Sequence, residues 1–469
     1  MFQFLIRRIL IMIPTFFGIS LIVFLISVNT PGDPIELLMD KQLQVKGNEA
    51  TKRSVDQKIN ELGRKYNFDA PLFYIRVTDQ TQSDTLHKIL TKSYRENLSK
   101  LSFEHGDWEL VNEYNRSIGK LTELGYQIND VATKSQLLQF LEKLKKTPTT
   151  KDLIDQLLFF KNNRIKDFSV KSEINHLENI ILRMASTSDK LNRFIPQFIW
   201  FGSHNQYHYW VTNLLTGNLG DSYFDKTPVK TKVGNAIVWT LLFSILSIVV
   251  SYLIAVPLGI YLSQNKDSRF AKFINSLLFA IHCIPSFWIA SLLIIFLASP
   301  EYIQLFPSYG LGEFNQNQST FGKFFELIPH IILPLICFSY SSIAYISEQT
   351  RRSILQIESS DFILTARAKG LTKRMIYWKH MLSNTSFTLI TQLGNLIPTL
   401  ISGSFVVEYI FAIPGMGKLL VDSIGYRDYP TVFSIIMISA VLVMLGVLLS
   451  DFLYMRFDPR VSLINKKEL

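Results

Sequence analysis

The sequence predicts an all-α, polytopic membrane protein with six transmembrane helices and a helical extracytoplasmic insertion between the first and the second. Three observations carry that prediction. Of 469 residues, 48% are hydrophobic and only 18% are charged, against ~25% charged in soluble domains. The mean hydropathy of +0.19 averages two populations, because the stretch from about Lys41 to Arg193 is dense in charge while most of the rest is nearly free of it. Six apolar stretches reach the roughly 20 residues that a helix rising ~1.5 Å per residue needs to cross ~30 Å of hydrocarbon.

The first stretch, Ile9 to Gly32, follows Arg7 and Arg8. It is long for a cleaved signal and has no small-x-small site after it, so it is expected to stay as helix one. The others are Val233 to Asn265, Phe273 to Pro300, Leu327 to Ser347, Met381 to Val407 and Tyr429 to Ser450. All six lack Asp, Glu, Lys and Arg. Pro257, Pro285, Pro334 and Pro398 fall inside them, and each removes a backbone hydrogen bond, so kinks are expected.

Basic residues divide unevenly between alternate connections. Sixteen lie before helix one, between helices two and three, between four and five, and after six, whereas the short loops on the other side hold only Lys323, Lys418 and Arg427. The positive-inside rule then places both termini in the cytoplasm. The net charge of +10 is thus mostly a topology signal, and no nucleic-acid partner is expected. Cys283 and Cys337 lie in apolar stretches and read as small packing residues, implying neither a disulfide framework nor a metal site.

The chain divides accordingly into helix one (residues 1–32), an extracytoplasmic region (33–232), a core of helices two to six (233–455) and a cytoplasmic tail (456–469). The long extracytoplasmic segment exceeds any ordinary loop and must hold a folded unit, placed at about 76–200. Its periodicity is helical: Leu137, Leu138, Phe140, Leu141 and Leu144 recur at spacings of three and four, as do Leu153, Leu157, Leu158 and Ile174, Leu177, Ile181. Asp84 to Leu101 and Trp108 to Leu124 suggest further helices. Turn signals separate them at His105-Gly106-Asp107, Lys146 to Thr149 and Thr187-Ser188-Asp189, and Thr149-Thr150-Lys151-Asp152 has the form of a helix start. The aromatic run from Phe194 to Trp210 suits a return to the membrane interface or packing against the bundle. His204 and His208 stand at metal-ligand spacing, but no Cys or close acidic residue accompanies them, so exposed polar histidines are expected and no metal.

The loop between helices four and five (350–380) contains a segment from Asp361 to Arg374. A helix there would set Phe362, Ala366 and Lys369 on neighbouring turns, with the small Ala366 and Ala368 admitting another surface. Gly370 would supply the left-handed turn that ends it, and Arg367, Lys369, Lys373 and Arg374 would hold the loop in the cytoplasm. By composition alone the segment is an ordinary basic connector. Near the end of the chain, Gly415 and Gly417 after Pro414 suit a tight turn, and Asp428-Tyr-Pro430 sets the start of helix six. Glu408 and Asp451 lie at the ends of apolar runs, where a carboxylate is costly in lipid and should face the bundle interior or water.

The order of the motifs goes beyond composition. Thr365-Ala-Arg-Ala-Lys-Gly-Leu371 resembles the coupling motif of the permease subunits of ATP-binding-cassette importers, most closely the dipeptide, oligopeptide and nickel branch. Phe4 to Leu10 with Ile13-Pro14, Thr30-Pro31-Gly32-Asp33-Pro34, and Gly217 to Ser222 (including Gly220) resemble that family's first helix, the turn after it and the approach to helix two. Gly403 to Phe411, Pro414 to Gly417, Arg427 to Pro430 and Asp458-Pro459-Arg460 follow in the family's order. The resemblance spans roughly residues 1–75 and 205–463. Departures are Asn218, where the family usually has Asp, the 446–451 segment, and the insertion itself.

The resemblance implies a permease for peptides or related small solutes such as nickel chelates, in the cytoplasmic membrane of a prokaryote. It implies two ATPase subunits gripping Asp361, Phe362, Thr365, Ala366, Arg367, Ala368, Lys369, Gly370 and Leu371, a second permease forming a heterodimer, and an extracytoplasmic solute-binding protein. No P-loop occurs in the chain, so it is not itself a P-loop ATPase, and neither an enzymatic activity nor a cofactor is expected. A channel or secondary transporter would show internal repeats or charges within the helices, and a membrane-anchored enzyme a catalytic constellation in the insertion; neither is evident. The insertion's role stays open between docking the binding protein, contacting the second permease or the envelope, and simple tolerance.

Overall fold

The computed structural model describes residues 2–30, 35, 52–161, 168–186, 191–312 and 319–457. The chain forms two compact units, Thr30–Thr216 and Met1–Asn29 with Gly217–Leu469. Helix α1 (Phe2–Asn29) is the first apolar stretch, continuous through Pro14, and belongs to the second unit.

The Thr30–Thr216 unit contains helices α2 (Lys52–Lys65), α3 (Lys92–His105), α4 (Trp108–Gln127), α5 (Val131–Lys146), α6 (Thr150–Lys161), α7 (Phe168–Ser186) and α8 (Gln206–Leu215). Local chemistry sets their ends. Gly106 adopts φ 75°, its amide bonding the Ser102 carbonyl, and the Asp107 side chain then accepts the Glu109 and Leu110 amides to start α4. Asp130 starts α5 in the same way through Thr133. Thr149 accepts the Asp152 amide while its hydroxyl donates to the Asp152 carboxylate at 2.6 Å, a reciprocal cap at the start of α6. Between the caps the apolar faces meet in one core, with Leu98, Leu101, Tyr114, Leu121, Leu141, Leu153 and Leu177 fully buried. Leu158, expected in that core, faces outward. The helix expected from Asp84 begins only at Lys92. Upstream, Ser83 Oγ accepts the Thr85 amide at 3.0 Å, a local turn that competes with the helix. Thr187-Ser188-Asp189 lie outside the described residues.

The all-α expectation misses a two-stranded antiparallel ribbon, β1 (Ile75–Asp79) with β2 (Pro196–Trp200), in which Ile75 faces Trp200 and Val77 faces Phe198. Ile75-Arg76-Val77-Thr78 does alternate apolar and polar, a short strand signal that this expectation passes over, and the partner strand lies within the run read as interfacial aromatics. The Phe201 amide donates to the Tyr74 carbonyl at 2.8 Å, extending the ribbon. His208 Nδ1 lies 3.0 Å from the Tyr74 hydroxyl, and no group of three His, Cys, Asp or Glu able to hold a metal occurs among the described residues.

The second unit continues with α9 (Val229–Gln264), α10 (Arg269–His282), α11 (Ser286–Leu293), α12 (Thr320–Ile357), α13 (Asp361–Ala368), α14 (Leu382–Ile410), α15 (Met416–Gly425) and α16 (Tyr429–Phe457). Helices α1, α9, α12 and α16 are long and apolar enough to cross a membrane, and α10 with α11 and the turn after it counts as a fifth span if its bend is included. Helix α14 occupies the fifth apolar stretch of the sequence. Pro257 and Pro334 stay inside α9 and α12. Pro285 does more than kink its stretch: the chain leaves the helix at Cys283 and turns by 100°. Proline disfavours helical geometry in the residue before it, while the Trp288 and Ile289 amides bond the Pro285 carbonyl and restart the helix at once. Cys283 is exposed at this break, whereas Cys337 is buried beside Phe338, Phe243 and Val407.

Candidate functional site

The segment after α12 is built as a short helix clamped to the bundle. Ile363 and Ala366, three residues apart and hence on one face, are buried with Ile260, Ile354, Ile376 and Met381. Glu358, which caps α12, accepts from Lys266 Nζ at 2.9 Å and from Arg367 at 3.2 Å. Burial alone would raise the Glu358 carboxyl, but these cations outweigh it and hold the group below its ordinary value. At the far end, Gly370 takes φ 74°, the Leu371 amide reaches back to the Ala366 carbonyl and the Gly370 amide to that of Arg367, a left-handed helix stop that a side chain would strain. The opposite face carries Phe362 (42% exposed) and Leu364 (51% exposed) beside Thr365, Arg367, Ala368 and Lys369.

Two further groups of motif positions lie at the starts of α15 and α16. Glu408 is wholly buried. Its Oε1 accepts from Thr240 Oγ1 at 2.9 Å and its Oε2 from the Gly417 amide at 2.6 Å, while Thr240 Oγ1 accepts the Met416 amide. The carboxylate thus closes the N-terminus of α15, where free amides and the helix dipole favour an anion. Gly417 is required by close approach, since a Cβ there would lie 2.2 Å from Phe405 Cα.

Asp428 is also buried. Its Oδ2 accepts from Ser222 Oγ (2.6 Å) and Thr431 Oγ1 (2.7 Å), and its Oδ1 from the Tyr223 amide (2.7 Å), so the Gly217 to Ser222 segment is tied to the start of α16. Pro430 is the second residue of α16, where a missing amide costs nothing. Lys232 adds ion pairs to Asp225 (2.8 Å) and Asp428 (3.6 Å). Burial raises the Asp225 carboxyl, but the bonds from Lys232, Thr227 and Ser222 prevail and lower it strongly.

Residues 255–463 match the family described as binding-protein-dependent transport system inner membrane component. Over 268 residues the chain is 36% identical to the oligopeptide transport system permease protein AppB of Bacillus subtilis, covering 57% of this chain and 81% of that one. The chain belongs to this permease family. The permease is also 31% identical over 262 residues to the peptidoglycan transport system permease protein YejB of Agrobacterium fabrum (53% of this chain, 69% of that one). It is 30% identical over 259 residues to the dipeptide transport system permease protein DppB of Lactococcus lactis (55% and 80%). Membership makes it a multi-pass membrane component of an ATP-binding-cassette importer, working with ATPase and substrate-binding partners.

Within the permease, Glu408, Gly415 and Gly417 form one clasp and Ser222 and Asp428 another, at opposite ends of α15, with Gly217 and Gly220 taking left-handed turns before Ser222. Asn218 Oδ1 accepts the Gly220 amide at 3.2 Å, a role that its carbonyl fills as an Asp would. Pro414 is exposed on the connection between α14 and α15. Asp451 stands apart, ion-paired at 3.1 Å with Arg8 of α1, so Arg8 has a partner within the bundle as well as a place in the charge pattern. Ala366 packs inward instead of admitting a foreign surface. Asp458, Pro459 and Arg460, like Pro31 to Pro34, lie outside the described residues. Sequence reasoning missed Glu358 and Lys266, which no local pattern marks, and Leu364, whose exposure follows only from knowing that Ile363 and Ala366 face inward.

Proposed function

We propose that this permease carries short peptides, that it has six spans with both termini cytoplasmic, and that α13 is the element by which ATPase subunits drive it. The cargo follows from the relatives, which are named for oligopeptide, dipeptide and peptidoglycan transport. In this topology the bent α10 and α11 form the third span, α14 the fifth, and the Thr30–Thr216 unit is extracytoplasmic. Two ATPase subunits engage this chain and a second, similar permease, and a binding protein delivers the peptide on the outside. ATP binding then biases one member of a pair of inward-open and outward-open states.

The observation that carries the coupling role is the two-faced build of α13. Its inner face is fixed by Ile363, Ala366 and the Glu358 ion pairs, while Phe362 and Leu364 stand uncovered among basic residues. A firmly anchored helix presenting large apolar side chains suits docking into a partner's groove. Replacing Phe362 or Leu364 by Asp should leave the chain in the membrane but abolish co-purification of the ATPase subunits and ATP-driven peptide uptake. Retention of both would refute the assignment. Deleting residues 76–200 and measuring uptake with the cognate binding protein tests whether the insertion docks it, since unchanged uptake would exclude an essential docking role.

A further inference from the structure

A separate set of polar side chains lies within the apolar helices. His282 ends α10 at the bend, its Nδ1 2.9 Å from Ser341 Oγ and 3.2 Å from the Ser341 carbonyl on α12. Its ring lies 6.4 Å from that of Tyr345, roughly parallel to it. The Tyr345 hydroxyl in turn donates to Gln392 Oε1 on α14 at 2.7 Å. Helix α14 continues the series: Asn384, Thr388, Thr391 and Gln392 recur at spacings of three and four and so share one face. None of the four is buried, and the spacing runs on in the sequence at Asn395.

Depth makes this unusual. His282 lies thirteen residues along α10 from Arg269, about 20 Å at ~1.5 Å per residue. Ser341 lies ten residues from Arg351 along α12, about 15 Å on the same rise. Both fall well within a hydrocarbon layer ~30 Å thick, where exposed polar and ionisable groups face protein-bounded water instead of lipid.

We propose that His282, Ser341, Tyr345, Gln392 and the polar face of α14 line the aqueous path and bind the peptide in transit, His282 meeting its carboxylate and the neutral groups its amides. Nδ1 is engaged by the Ser341 hydroxyl and carbonyl, and the described residues provide no hydrogen-bond partner for Nε2, which is left to face the cargo. Asn, Gln and Thr offer donors and acceptors together, as a peptide amide requires. Asp and Glu are absent from residues 273–300, 327–347 and 381–407, so no acid within these stretches repels a carboxylate. The cargo half of this inference rests on the peptide reading above; the path does not.

The test uses the complete reconstituted transporter with Cys283 and Cys337 replaced by Ser. Single cysteines are placed at His282, Thr391 and Gln392, with Leu253, 69% exposed on α9, as the apolar control. A membrane-impermeant maleimide should label the first three at least tenfold faster than the control, and equal rates would overturn the path. Trialanine uptake should then fall about tenfold in H282L and in Q392L, and H282L should lose any preference for trialanine over its C-terminal amide. Undiminished uptake, or a retained preference, would overturn the binding role. Failure of the unsubstituted transporter to take up trialanine would refute the peptide reading, leaving the labelling ratio to decide the path.

Discussion

The Glu408 clasp invites a graded perturbation. The native carboxylate takes one hydrogen from Thr240 and one from the Gly417 amide, and charge-assisted bonds of this kind are worth about 1.5–3 kcal/mol each. Glu408→Gln keeps the shape but only one acceptor, so one donor faces an amide NH2. Some of that loss is offset because no charge is buried, and the net cost should be about 1–2 kcal/mol. Glu408→Leu strands both donors, at about 1–3 kcal/mol apiece, for roughly 2–6 kcal/mol in all. Thermal unfolding of the purified transporter reads the difference. The midpoint should fall by about 2–4 °C per kcal/mol, so the order of stability is native, then Gln, then Leu. A Leu variant that unfolds at the native temperature yet fails to transport would refute the clasp and place Glu408 on the cargo path.

Gly370→Val forces a β-branched residue to φ 74° at a cost of about 1–2 kcal/mol; ATP hydrolysis should persist while uptake is lost, and normal uptake would sink the coupling role of this turn. Leu141→Ala, in the core of the Thr30–Thr216 unit, should destabilise that unit by about 2–5 kcal/mol, seen as faster limited proteolysis within residues 92–186; an unchanged digestion pattern would contradict the single shared core. Glu358 sits below its ordinary value in the folded chain, so its contribution is complete above the unfolded value of about 4.3 and lost as pH falls through the lower folded one. Hydrogen-exchange protection of residues 361–371, corrected for intrinsic rates, should hold level from about pH 8 to 5 and decline only below about 4; a decline starting near pH 6 would exclude Glu358 as the anchor.

What the sequence makes legible here is what short-range chemistry decides. Gly106, Asp107 and Thr149 mark helix ends because each cap closes within three or four residues, and Asp130, which carries the same signal, is missed by sequence reasoning. The heptad-like leucines of α5 show their buried face for the same reason. The clasps are different. Ser222 and Asp428 each belong to a recognisable motif, yet their bond joins residues 206 apart, and no local spacing announces it. The Glu358 clamp and the Arg8 to Asp451 pair are likewise products of packing. Pro285 signals a kink, but the full 100° turn needs three consecutive residues out of the helix, which residue type alone does not dictate.

The ribbon of β1 and β2 has a consequence for how the chain is made. Synthesis delivers Ile75 well over a hundred residues before Trp200, its partner in the register, so β1 must wait while everything between them emerges. The helices from Lys92 to Ser186 meet over shorter stretches of chain than the two strands do, even where α4 packs on α7, and nearer contacts form fast whereas distant strand pairing is slow. The ribbon therefore closes last, like a drawstring, and its pairing reports that the helices it encloses have already found their places. A lesion in that core should show first as an open ribbon, with the edge amides of Ile75 to Asp79 losing protection before any helix unwinds.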